Sequence, residues 1–139
     1  MTEKQIQLVK ESWSLVVPIS DVAGDLFYNR LFEVAPSVRS MFKGDMRQQS
    51  RKLMGMLAMI VSKLDALETL LDEIKMLAQR HDKYGAKPAH YQVVGECLIW
   101  TLATGLGEKW NKETEESWIA AYTILSGAMI KNQTVAEAA

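Results

Sequence analysis

Cysteine and proline are scarce in this chain, and charge of either sign has no majority. A single cysteine, Cys97, stands among 139 residues, which excludes an internal disulfide and any cysteine-rich metal site. Pro18, Pro36 and Pro88 are almost the only strong breakers, and the eight glycines do not cluster into a phosphate-cradling loop. Sixteen basic residues face 17 acidic ones, giving a net charge of −1 and a pI near 6.1. No overall basic field exists for a phosphate backbone, so nucleic acid is not an expected partner. No apolar run approaches the ~20 residues that cross a bilayer. The start, Met1-Thr2-Glu3-Lys4-Gln5, leads into no apolar signal segment, so the expectation is a cytoplasmic protein without a membrane span. With 48% hydrophobic residues, one well-cored domain over residues 1–139 is expected.

The long unbroken stretches repeat with helical period. Ile6, Val9, Trp13 and Val16 form one stripe, Leu53, Leu57, Ile60 and Leu64 a second, and Leu70, Ile74 and Leu77 a third. Tyr91, Val94, Leu98 and Leu102 follow, then Trp118, Tyr122, Leu125 and Met129. No alternating run supports a strand. The pattern predicts an all-α chain with helices over 3–17, 20–33, 36–42, 47–63, 67–81, 89–106 and 112–132. Thr2, Ser20 and Asn111 are expected at helix starts, and Pro36 and Pro88 suit first turns, where a missing N–H costs nothing.

Two histidines are the only imidazoles. His81 follows Leu77 by one helical turn and so falls on the apolar face, near its helix's C-terminal end. A histidine there is either a core residue satisfied by a backbone carbonyl or a ligand. His90 sits in the polar connection Gly85-Ala86-Lys87-Pro88-Ala89-His90 and reads as a half-exposed residue at a helix start. Gln49 precedes Leu53 by four residues and interrupts an apolar stripe, and Tyr28 shares a helix with Leu31 and Phe32. A buried tyrosine needs a hydroxyl partner, so a Tyr and Gln that meet say more than either alone. No nucleophile elbow, His-Glu-x-x-His or metal-spaced histidine pair is present. The eight methionines, three of them at 54, 56 and 59, read as core filling ahead of a groove for a partner helix.

Over nearly its whole length the chain resembles bacterial single-domain globins and the globin domain of flavohaemoglobins. The resemblance is carried by Leu26-Phe27-Tyr28-Asn29-Arg30-Leu31-Phe32, by Ala35-Pro36-Ser37-Val38-Arg39-Ser40-Met41-Phe42 and by Gln49-Ser50-Arg51-Lys52-Leu53. It continues through Leu77-Ala78-Gln79-Arg80-His81, Tyr84-Gly85 and Pro88-Ala89-His90-Tyr91-Gln92-Val93-Val94-Gly95-Glu96, and ends with Trp118 and Tyr122. It implies a globin fold around a pentacoordinate haem b, iron protoporphyrin IX. His81 would be the proximal iron ligand, Phe42 the aromatic ring against the porphyrin, and Tyr28, Gln49 and Leu53 the distal pocket, with the Tyr and Gln donating hydrogen bonds to bound O₂.

The resemblance also makes Tyr91 the tyrosine of a proximal hydrogen-bonded unit. The acidic member of that unit aligns with Gln133, which brings no negative charge. Lys52 would reach a haem propionate or close the distal entrance, or would simply be solvated. The function implied is reversible binding of O₂, NO and CO, with NO detoxification when a separate reductase supplies electrons. The alternatives are oxygen storage or delivery, gas sensing without turnover, and a helical interaction module without cofactor.

Overall fold

The computed structural model describes residues 1–83 and 85–138, with side-chain surroundings through Asn132. Six α-helices follow in order: α1 (Glu3–Val16), α2 (Ser20–Val34), α3 (Met46–Ser62), α4 (Leu71–Lys83), α5 (Pro88–Leu106) and α6 (Lys112–Ala138). Tight 3₁₀ segments at Val17–Ile19, Pro36–Met41, Leu64–Leu70 and Gly107–Lys109 connect them, and no strand occurs among the described residues. The expected all-α architecture is present.

The helix starts follow local chemistry. Thr2 Oγ1 accepts from the Gln5 N–H at 3.1 Å while Gln5 Oε1 accepts from the Thr2 N–H at 2.9 Å, a reciprocal cap on α1. Asn111 Oδ1 accepts from the Thr114 N–H at 2.8 Å, and Pro88 is the first residue of α5. Ser20 differs from expectation: the 3₁₀ turn around Pro18 runs straight into α2, so Ile19 takes the cap position and no side chain caps the helix. The helix expected over 67–81 begins later as α-helix: residues 67–70 belong to the 3₁₀ segment Leu64–Leu70 and α4 begins only at Leu71. Ala66, with φ −146° and ψ 48°, falls in the gap expected between 63 and 67.

Two glycines set helix crossings. A methyl carbon at Gly24 of α2 would collide with the Ser50 hydroxyl of α3 and lie 3.1 Å from its Cβ, so the two helices approach closely here. At Gly95 of α5 such a carbon would lie 2.6 Å from Tyr122 Cε2 of α6. On the other side of the molecule α1 packs on α6, where the Trp13 and Trp118 rings lie 6.1 Å apart and Trp118 Nε1–H donates to Ser12 Oγ at 2.8 Å. Val9, Val16, Leu31, Leu98 and Leu102 are buried between these pairs, each worth ~1.5–3 kcal/mol relative to exposure. The core does not close everywhere: a cavity opens where α2, α3, α4, α5 and α6 converge.

Candidate functional site

The cavity has a volume of about 740 Å³, within the ~300–1,000 Å³ typical of small-molecule and cofactor pockets. Its walls are mostly apolar, with Leu31, Leu53, Leu57, Leu77, Val94 and Leu98 among the lining residues. A few polar side chains converge on it.

His81 is one of them. It lies on the cavity wall in the last turns of α4, and its Nδ1 is 2.8 Å from the Leu77 carbonyl oxygen one turn earlier. Nδ1–H donating to that carbonyl selects the tautomer whose lone pair is on Nε2. Burial lowers the His81 pKa below the usual histidine value; the Leu77 hydrogen bond opposes that shift and the nearby Arg80 charge adds to it. The ring is therefore a neutral imidazole with an oriented donor, the state in which histidine binds a metal.

Tyr91 of α5 stacks against His81, with ring centroids 6.2 Å apart and planes 27° from parallel. Burial and the Asp82 carboxylate push its phenol up to about 12. Its backbone carbonyl accepts from Tyr122 Oη of α6 at 2.6 Å, which ties the first turn of α5 to the last helix. Burial raises the Tyr122 phenol as well. Gln133, the residue aligned with the proximal acid, has its side chain outside the described residues.

The second polar group comes from α2 and α3. Tyr28 is 7% exposed and sits in an aromatic cluster, 4.9 Å from Phe27, 5.9 Å from Phe32 and 5.5 Å from Phe42 between ring centroids. Burial raises its phenol, and the nearby Gln49 side chain partly offsets the shift. The expected meeting of Tyr28 and Gln49 is present, with one difference. Gln49, Phe42 and Leu53 line the cavity, whereas Tyr28 is not among its lining residues and lies near Gln49. Phe27, its neighbour, takes the wall position.

Lys52 is exposed and lies on the cavity lining, joined there by Lys43 and Lys83. His90 is half-buried and its Nδ1 accepts from the Lys87 N–H at 2.8 Å, so it caps the start of α5 while also touching the cavity. Sequence reasoning did not place Tyr122 at the site, although it shares a helical stripe with Trp118 and Leu125. Nor did it place Met41, Met46, Met56 and Met129 on the cavity wall. Their abundance was the available signal: pliable thioethers suit the wall of a space that holds a flat, rigid guest.

Among the described residues no group of three His, Cys, Asp or Glu side chains could hold a metal ion alone. One oriented imidazole on an apolar wall fits a different donor set, in which a macrocycle would bring the iron and the protein would add one nitrogen ligand. The apolar walls, the volume and the oriented His81 suit such a group.

A family model described as Globin matches residues 25–129. The chain is 29% identical over 133 residues to a flavohemoprotein of Rhodopirellula baltica, covering 94% of this chain and 33% of that protein. It thus spans about a third of that relative's length. It is 31% identical over 143 residues to an anaerobic nitrite reductase of Brassica napus, covering 92% of this chain and 89% of that one. The solved bacterial globin of Campylobacter jejuni superposes with a TM-score of 0.89 at 24% identity, over 99% of this chain and all of that one.

Proposed function

Because the chain belongs to the globin family, whose members bind haem, we propose that it holds a pentacoordinate haem b through His81 and binds O₂, NO and CO. We further propose that residues 1–139 act as one such domain in the cytoplasm and contribute to NO detoxification, with electrons from a reductase outside these residues. The observation that carries the reading is His81, a neutral imidazole on the wall of an apolar cavity with Nδ1 engaged by the Leu77 carbonyl. When bound, haem supplies an iron that takes up diatomic gases reversibly and that one electron returns to its ferrous form after NO and O₂ are converted to nitrate.

In this reading each residue has a physical task. His81 presents Nε2 to the iron while Leu77 holds its tautomer and ring orientation. Phe42 and Leu53 exclude water from the cofactor's faces. Gln49 offers its amide N–H to the gas ligand, and Tyr28, close to Gln49, adds a second donor on the same side. Tyr91 packs beside the His81 ring and limits its rotation. Lys52 lies on the rim, placed for a propionate. Cys97 is the only cysteine and is buried on α5, so the Cys-x-x-Cys-His type of covalent attachment is absent and the haem is held by packing and ligation.

The test is the absorption spectrum of protein produced with haem supplied. A Soret band that shifts on reduction and again with CO is expected; His81→Ala should lose it and His90→Ala should keep it. Absence of the band, or its persistence in His81→Ala, refutes the site. Mixing the oxygenated protein with NO should then yield stoichiometric nitrate, and turnover should continue with a reductase present. Failure to cycle under reducing conditions would leave storage, delivery or sensing in place of catalysis.

A further inference from the structure

A net charge of −1 conceals a strong segregation. Residues 39–52 and 80–87 carry eight of the 16 basic residues and only two of the 17 acidic ones, a net of +6; all other positions together are net −7. Both segments contribute residues to the cavity wall. Lys43, Lys52 and Lys83 are exposed and line the cavity. The other five are also exposed and flank lining residues. Arg39 Nη1 donates to the carbonyl of Phe42 at 2.9 Å, Arg80 adjoins His81, and the Lys87 N–H donates to His90. Arg47 and Arg51 lie one turn apart on the face of α3 turned away from Gln49 and the cavity.

None of the eight takes part in an ion pair among the described residues. The two acids do not neutralise them: Asp45 caps α3 through the Arg47 N–H at 2.9 Å, and Asp82 lies beside Tyr91. Like charges at i and i+4 repel, so the Arg47 and Arg51 pair brings the helix no stability. A field of one sign focused on a cleft mouth has a recognised use, the steering of an oppositely charged partner.

We propose that this basic rim is the docking face for the acidic surface of a one-electron donor protein. The proposal rests on the haem-binding reading above, since Lys43, Lys52 and Lys83 line the cavity that would hold the cofactor. In the encounter the donor is oxidised by one electron and ferric haem becomes ferrous, with no bond or proton exchanged. Even with two lysines committed to two propionates, most of the positive charge is left for a partner. A membrane fits less well. None of the exposed large apolar side chains among the described residues lies in either segment, and binding in a bilayer interface needs apolar side chains to insert. A charged rim without apolar anchors instead suits a short-lived redox encounter.

The experiment uses the haem-loaded protein with flavodoxin, an acidic flavoprotein, as the probe. Reduction by reduced flavodoxin should slow at least about tenfold between ~10 mM and ~300 mM salt, the low end of the range for steered association. Lys43→Glu with Lys83→Glu should slow it by about tenfold at low salt and weaken calorimetric binding of oxidised flavodoxin in parallel, with the haem spectrum unchanged. Lys109→Glu with Lys112→Glu makes the same change in net charge outside the rim and should stay within about twofold of the parent. A rate flat in salt overturns the proposal, as do equal effects of the two double variants. Sedimentation with phosphatidylserine vesicles in place of flavodoxin binding overturns it in favour of a membrane. Loss of the haem spectrum itself in the parent protein would instead refute the cofactor reading.

Discussion

Substituting Gly95→Ala tests how closely the fold and the site are joined. In most helix interiors this change stabilises by ~0.5–1 kcal/mol, because glycine loses more backbone freedom on folding. Here the added carbon would lie 2.6 Å from Tyr122 Cε2 and 2.9 Å from Cδ2, whereas non-bonded carbons prefer ~3.5–4.0 Å. The ring is rigid, so either α5 and α6 separate or the whole tyrosine moves. Overpacking of this kind costs ~1–3 kcal/mol. Movement also breaks the 2.6 Å bond from Tyr122 Oη to the Tyr91 carbonyl, worth ~0.5–1.5 kcal/mol. The losses outweigh the propensity gain, and a net destabilisation of about 1–3 kcal/mol is expected. Urea unfolding at fixed haem saturation, so that cofactor linkage is constant, should show a lower midpoint at unchanged slope. In a Tyr122→Leu background the same substitution should lose most of its penalty. An unchanged or raised midpoint, or an equal penalty in both backgrounds, would refute the steric reasoning.

Three further outcomes are expected. Tyr28→Phe should speed O₂ release from the haem-loaded protein by up to about tenfold, the equivalent of one hydrogen bond, and Gln49→Leu should speed it more, because Gln49 lines the cavity and Tyr28 is not among its lining residues; stopped-flow dissociation showing the reverse order would make Tyr28 the main donor to the ligand. Ser12→Ala should lower stability by ~1–3 kcal/mol because it strands the buried Trp118 Nε1–H, which now donates to Ser12 Oγ at 2.8 Å; adding Trp118→Phe should recover part of the loss. The phenols of Tyr28, Tyr91 and Tyr122 are all raised by burial, Tyr91 to about 12. A folded pKa above the unfolded value near 10 contributes stability that is complete below pH ~10 and is lost as pH rises toward the folded value. The urea midpoint should therefore hold steady up to that pH and fall above it, and Tyr91→Phe should make the fall shallower.

Much of the site was legible in the sequence because its signals are local. His81 stands out because only two imidazoles exist and one follows Leu77 by a helical turn, the same spacing that carries its Nδ1 to the Leu77 carbonyl. Gln49 interrupts an apolar stripe, and a tyrosine on the preceding helix was its natural partner. The gap around Ala66 was legible as a break between two helical stretches, but the 3₁₀ winding of residues 67–70 was not. Periodicity reports which face is apolar and says little about one residue's φ and ψ. Ser20 likewise carried the composition of a cap without the geometry, because the turn before it was already helical.

The sequence by itself determined the all-helical class and the single imidazole on an apolar face, since both depend on spacings within one or two turns. Only the tertiary structure decided that Tyr28 lies near Gln49, that Tyr122 holds the Tyr91 carbonyl, and that lysines of two separated segments, Lys43, Lys52 and Lys83, line one cavity. Each depends on how closely and at what angle helices distant in the chain cross. Those crossings are set by packing, including the contact surfaces at Gly24 and Gly95, and no local pattern encodes them.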